Sequence, residues 1–281
     1  MSTEERFEQA LHHVLWLVRP YLPELVVIGG WVPHLYRRYG GFHEWGSTLS
    51  RTAEVDVLLP QEPPRDGRPP LAQLLREAGF TSTQESRGAI WMNDVATGEK
   101  VEFFVPHAGT ATSIGQPRPL PAQDGLGAIP LTDLTLLARH TRALQIPVAI
   151  TIRRPEMLSV RVPSIGAYLV GKGATFMKRS PATSPEQSRR AKDIVYIRDV
   201  MAAGTDVVRQ VERDIIELRA LSDVASYMLY AGNNLSLLDR GSAVLQEAAR
   251  ELAERDGMRI EDARLDLEGH VLDFRELLGG G

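Results

Sequence analysis

The stretch Arg51-Thr52-Ala53-Glu54-Val55-Asp56-Val57-Leu58 decides how the chain is read. Side chains on a β-strand alternate between faces, so Glu54 and Asp56 point one way while Val55 and Val57 enter a core. Two carboxylates on one face repel each other unless a cation lies between them, and oxygen-seeking magnesium ions use such a pair. Further on, Lys100-Val101-Glu102-Phe103-Phe104-Val105-Pro106 sets Glu102 among apolar residues, in a strand that could lie beside the first. An inward acid is costly there if left unpaired, which makes Glu102 the natural third ligand. The alternative is that Glu54 and Glu102 are the exposed faces of amphipathic strands, since an E-x-D pair is common by chance.

Upstream, Leu25 to Ile28 is a short run rich in branched residues, hence a buried strand, and it leads into Gly29-Gly30-Trp31-Val32-Pro33. Paired glycines permit a tight turn and a close backbone approach to a ligand, and the free amides of the next helix favour phosphate oxygens. No Gly-Lys-Ser/Thr follows, so this is not the P-loop of ATP hydrolases, and no third glycine completes a dinucleotide fingerprint. A plain strand-to-helix turn is the competing reading.

Composition narrows the chemistry. The chain has 281 residues, 43 % hydrophobic and 24 % charged, enough for one good core plus a second lobe or helical extension. It has no cysteine, which excludes a disulfide framework, a thiolate zinc site and a cysteine nucleophile; any metal must be held by oxygen or imidazole. A net charge of -4 gives no global attraction to nucleic acid, though a local basic patch remains open. Met1 to Glu8 carries three glutamates, and no stretch approaches the roughly 18 apolar residues of a membrane span. Neither a signal peptide nor membrane association is expected, and the expected location is cytoplasmic.

Hydrophobic periodicity and turn residues predict helices over Phe7 to Val18, Val32 to Arg38, Leu71 to Ala78 and Asp133 to Thr141. Strands are expected at Leu25 to Ile28, Glu54 to Leu59 and Phe80 to Thr83. A hairpin is expected from Ala89 to Val95 and Glu99 to Val105, a long surface loop from Gly109 to Leu126, and strands at Val148 to Arg153 and Met157 to Val162. Beyond residue 163 the pattern is helical: Ser164 to Val170, Pro185 to Met201, Val207 to Leu218, Leu221 to Gly232 and Gly241 to Asp256. The expected domains are therefore 1–163 and 164–281.

The order strand, Gly-Gly, helix, then T-x-[DE]-h-D with h apolar, then h-[DE]-h on a later strand, resembles the polymerase-beta-type nucleotidyltransferase superfamily. Thr52, Glu54 and Asp56 match its acidic motif and Glu102 its third acid. Gly29-Gly30, in place of the commoner Gly-Ser, resembles the minimal bacterial enzymes grouped with abortive-infection and toxin-antitoxin nucleotidyltransferases. So do Lys172, Arg179 and the run Arg190-Ala191-Lys192-Asp193-Ile194-Val195-Tyr196. The resemblance covers residues 22–200 and implies an α+β nucleotidyltransferase fold, a small mixed sheet flanked by helices, plus a helical C-terminal part. Two features depart from the pattern. Glu54 replaces the usual aspartate, lengthening a ligand by one methylene, and the segment from Gly30 to Glu54 is longer than in the smallest members.

By that resemblance the chain would be an enzyme that transfers a nucleotidyl group from a nucleoside triphosphate such as ATP. Glu54, Asp56 and Glu102 would hold two magnesium ions about 4 Å apart, with manganese an alternative. Glu102 would also help deprotonate the acceptor hydroxyl. Gly29, Gly30 and Thr52 would lie at the nucleotide, Lys172, Arg179 and Lys192 at its phosphates, and Asp193 would orient a lysine or bind substrate. The basic run from Lys172 through Lys178, Arg189 and Arg190 to Lys192 also fits a solvated helix face paired with Glu186 and Asp193. His12, His13 and His34 read as helix-face residues, His107 could approach the site, and Trp31 and Trp45 could stack on a base or pack in a core. The acceptor would be RNA, a protein or a small molecule, and the helical tail leaves room for a partner protein. The rival from another class is a catalytically silent scaffold acting as a nucleotide sensor or partner-binding protein, expected if Glu54 turned outward or carried a blocking salt bridge. Phosphohydrolysis at the same acids is a second rival.

Overall fold

The opening amphipathic stretch forms α1 (Thr3–Leu17), and Pro20 turns the chain into a 3-10 helix over Arg19–Glu24. Branched residues then form the buried strand β1 (Val26–Ile28), which passes through Gly29 into α2 (Trp31–Tyr39), with Pro33 in the first turn. Next come β2 (Glu54–Leu58), α3 (Leu71–Glu77), β3 (Ile90–Asn93), β4 (Glu99–Pro106), the short β5 (Arg118–Pro119), β6 (Gly127–Leu131) and α4 (Leu134–Arg139). A hairpin of β7 (Thr141–Val148) and β8 (Glu156–Pro163) follows. This computed structural model describes residues 3–42, 45–50, 54–93, 99–107, 115–148, 155–176, 184–238 and 242–279.

Six strands make one mixed sheet in the order β1-β2-β4-β6-β5, with β3 also paired to β4. β2 and β4 are parallel, as are β4 and β6, while β1 runs antiparallel to β2 and β3 antiparallel to β4. One face of the sheet is wholly core: Val27, Val55, Val57, Val101 and Phe103 are all buried. Glu99 is buried on that same face, where α1 supplies His13 as its partner at 2.8 Å. The other face is divided. Val26, Ile28, Leu58 and Phe104 pack with Leu134, Leu137 and Ala138 at α4, whereas the far ends of β2 and β4 carry polar residues.

From Ile165 the fold is helical: α5 (Ile165–Thr175), α6 (Ser184–Met201), α7 (Thr205–Arg219), α8 (Ala225–Ser236), α9 (Ala243–Asp256) and α10 (Ile260–Leu277). α5 is central, packing against α6, α7 and α8. Its first turn is tied down twice, because Ser164 Oγ accepts from the Ala167 amide at 3.1 Å and Asp214 Oδ2 accepts from the Gly166 amide at 2.9 Å. A Cβ on Gly166 would come within 2.5 Å of Asp214 Cβ, so glycine permits this close approach.

The chain divides into two compact units, residues 1–35 with 51–163 and residues 36–50 with 164–281. Segment 36–50, read from sequence as part of the amino-terminal half, thus counts with the helices. Its anchor there is polar: Ser47 Oγ donates to the Asp199 carbonyl, the Ser50 amide to Asp199 Oδ2 at 3.2 Å, and the Gly46 amide to the Ala203 carbonyl at 2.8 Å.

The result is the α+β arrangement expected, a mixed sheet flanked by helices with a helical C-terminal region. Several local expectations need correction. β7 occupies Thr141–Val148, earlier than the expected strand, whose remaining residues 149–153 lie outside those described. Of the expected surface loop Gly109 to Leu126, residues 109–114 lie outside those described; the rest is not simply surface, since Leu120, Gln123 and Leu126 are buried and Gln123 Oε1 accepts from the Leu71 amide at 3.0 Å. Phe80 to Thr83 contributes only an isolated bridge from Thr81 to Met92. β6 and α10 were not anticipated. No helix among the described residues is long and apolar enough to cross a membrane.

Candidate active site

The parallel pairing of β2 with β4 sets Asp56 opposite Glu102 and Glu54 opposite Lys100. Partners on adjacent strands share a face, so these four side chains form a square at the polar end of the sheet. Three corners are acids, and ligand oxygens of Glu54, Asp56 and Glu102 all lie within 4.8 Å of one another. The donor set is all oxygen and is partly open to solvent, which suits a hard divalent cation such as magnesium or manganese.

Gly29 closes one side of this square. It has φ +72°, a conformation glycine adopts without strain, and a Cβ there would sit 2.8 Å from Asp56 Cγ. The backbone of the glycine turn therefore lies directly against the Asp56 carboxylate, as the β1-β2 register requires by pairing Ile28 with Asp56. The Gly29 carbonyl accepts from the Val32 amide at 3.3 Å, and Gly30 is buried at the entry to α2.

Lys100 fills the fourth corner, and it was not singled out from the sequence. Its Nζ lies 2.8 Å from Glu54 Oε1 and 2.5 Å from Glu102 Oε1. Burial works against the Lys100 charge, but hydrogen bonds to Glu102 and Glu54 outweigh it and hold the ammonium above the ordinary lysine range. The available signal was parity: Lys100 stands two residues before Glu102 on an alternating strand and so shares its face.

In the helical unit, Lys172 Nζ lies 2.7 Å from Asp193 Oδ1, and both side chains are largely buried. The ammonium also faces the Tyr196 and Tyr168 rings, 4.8 Å and 5.5 Å from their centroids. The structure thus brings together two residues singled out from the sequence, Lys172 and Asp193, with Lys192 over the Tyr196 ring at 5.7 Å. Thr52, Lys178 and Arg179 lie outside the described residues. Trp31 is 6 % exposed, buried on α2 beside His34, and Trp45 Nε1 donates to Ser47 Oγ at 3.0 Å. The amide of His107 donates to the Leu131 carbonyl at 2.9 Å, just beyond β4.

A family model described as Nucleotidyltransferase matches residues 20–213, well over half of the chain. No curated protein and no solved structure matches it. The matched span includes the glycine turn, the acid square and the Lys172–Asp193 pair, and on that match the chain belongs to the nucleotidyltransferase family.

Proposed function

We propose that the protein transfers a nucleotidyl group from a nucleoside triphosphate to an acceptor hydroxyl, using Glu54, Asp56 and Glu102 as the ligands of a divalent ion. The observation that carries this reading is the meeting of three carboxylates from two adjacent strands within 4.8 Å. A divalent ion held there supplies neutralisation of phosphate charge and activation of a hydroxyl. Asp56, fixed between Gly29 and Glu102, serves as the anchor of the site. Glu102 stands beside it and accepts the proton of the acceptor. Gly29 and Gly30 let the backbone approach the phosphates, and the start of α2 offers them amides. In the helical unit we assign Lys172 a phosphate-binding role, with Asp193 orienting its ammonium. The functional domains we assign are 1–163 for chemistry and 164–281 for a helical adjunct. Within the family, Gly29-Gly30 and the Lys172-to-Tyr196 pattern favour the abortive-infection and toxin-antitoxin type, acting in the cytoplasm on RNA, a protein or a small molecule.

The test is incubation with each labelled triphosphate, magnesium, and total RNA or lysate, followed by identification of the labelled species. Asp56→Asn is expected to abolish labelling with thermal unfolding little changed. Labelling by that variant at the parental rate refutes the mechanism. One observation favours a second reading: Glu54 and Glu102 both bind Lys100. A silent scaffold that binds nucleotide through these residues predicts triphosphate binding with no labelled product under any acceptor.

A further inference from the structure

Lys100 completes the square of which three corners are acids, and its placement follows from the strand register. Glu54 is its direct neighbour across the β2-β4 ladder, and Glu102 is its neighbour two residues along β4. On its other side β3 offers only Met92 and Ile90 opposite Lys100 and Glu102, so the acids are its polar surroundings across the ladder. The ammonium contacts two carboxylates at once, at 2.8 Å and 2.5 Å, which is where a cation bridging those ligands would be held.

We propose that Lys100 is a built-in cation of this site, occupying the position of one of two divalent ions and leaving the free enzyme with a single tight divalent site at Asp56 and Glu102. The inference rests on the metal-site reading of the three acids. Charge balance supports it. The three carboxylates carry three negative charges; Lys100 offsets one, and one divalent ion offsets the other two. A second divalent ion would leave the square positively charged until a triphosphate arrived. Lys100 is thus a positioning residue that sets the number and affinity of bound ions, and it holds Glu54 toward the square despite the extra methylene of that side chain.

The probe is Mn2+ alone, titrated against the full chain without nucleotide, with bound and free ion separated by equilibrium dialysis. The parent is expected to bind one Mn2+ per chain. Lys100→Met is expected to gain a second equivalent or to bind the first at least about tenfold more tightly, because one competing positive charge is gone. Lys100→Arg, which keeps the charge, should bind as the parent does. A second readout is thermal: in metal-free buffer Lys100→Met should unfold at a lower temperature than the parent, and Mn2+ should raise its midpoint more. If the parent binds Mn2+ and Asp56→Asn does not, while Lys100→Met matches the parent in stoichiometry, affinity and thermal response, this inference fails and the metal-site reading stands. If neither the parent nor Lys100→Met binds Mn2+, both fail.

Discussion

Replacing Gly29 with alanine separates two costs that the structure makes calculable. The first is local: at φ +72° an alanine pays the left-handed penalty, about 1–2 kcal/mol. The second is steric. The new Cβ would lie 2.8 Å from Asp56 Cγ and nearer still to its carboxylate, against the roughly 3.5–4.0 Å at which non-bonded carbons rest. The easy relief is rotation of the Asp56 side chain, displacing the carboxylate by about 1 Å, and misplacement on that scale costs about 100-fold in rate. Gly41→Ala is the matched control, because Gly41 has φ +75° with nothing within 4 Å of its notional Cβ. Both variants should lose a similar few degrees of melting temperature, but only Gly29→Ala should lose about two orders of magnitude of nucleotidyl transfer. Transfer by Gly29→Ala at the parental rate, or an equal loss in Gly41→Ala, would show that the glycine turn does not position the acid.

Two further outcomes concern stability. Arg255 forks onto the fully buried Asp199 at 2.7 and 2.8 Å, and burial pushes that carboxyl up while Arg255 pulls it down. Arg255→Met leaves the buried acid with Arg198 at 3.4 Å and the Ser50 amide at 3.2 Å, without its two short charged hydrogen bonds, and should cost about 3 kcal/mol, a midpoint drop of roughly 6–12 °C; an unchanged midpoint in calorimetry sinks the argument. His13 is held above the ordinary histidine range by its hydrogen bond to Glu99, against the opposing effect of burial. Its stabilisation is therefore full below about pH 6.5 and lost as pH rises through the raised value. Melting curves between about pH 5.5 and 8.5 should show a decline that His13→Gln lacks, and equal slopes in the two proteins contradict the assignment.

The strands that build the site were legible because each signal was local. Alternation placed Glu54 and Asp56 together, apolar flanks marked the β4 acid, and glycines marked the turn. What escaped had a physical reason in each case. Pro147 disguised β7, yet among the described residues that strand pairs only with β8 and so is an edge strand, where proline is tolerated. Gly127 and Pro130 disguised β6 in the same way. α10 has a regular buried stripe of Ala263, Leu267, Val271 and Phe274, but exposed Ile260, Leu265 and Leu272 blur its amphipathic outline. Lys100 reads as an ordinary strand-surface lysine until the β2-β4 register is known, since Glu54 lies 46 residues away. Ser47 and Ser50 take their partner in the chain 152 and 149 residues away, a distance over which composition is silent.

The assignment of residues 36–50 to the helical unit bears on how the gene can be dissected. Each unit is made of two separate stretches of chain, so no single cut yields either one whole. A fragment ending at Pro163 would carry Ser47 and Ser50 without Asp199 and Arg255, exposing donors that the intact protein satisfies. A fragment beginning at Ser164 would lack the segment that covers those same groups. Leu35 and Tyr36 both lie within α2, so dividing the gene at that boundary would also sever a helix.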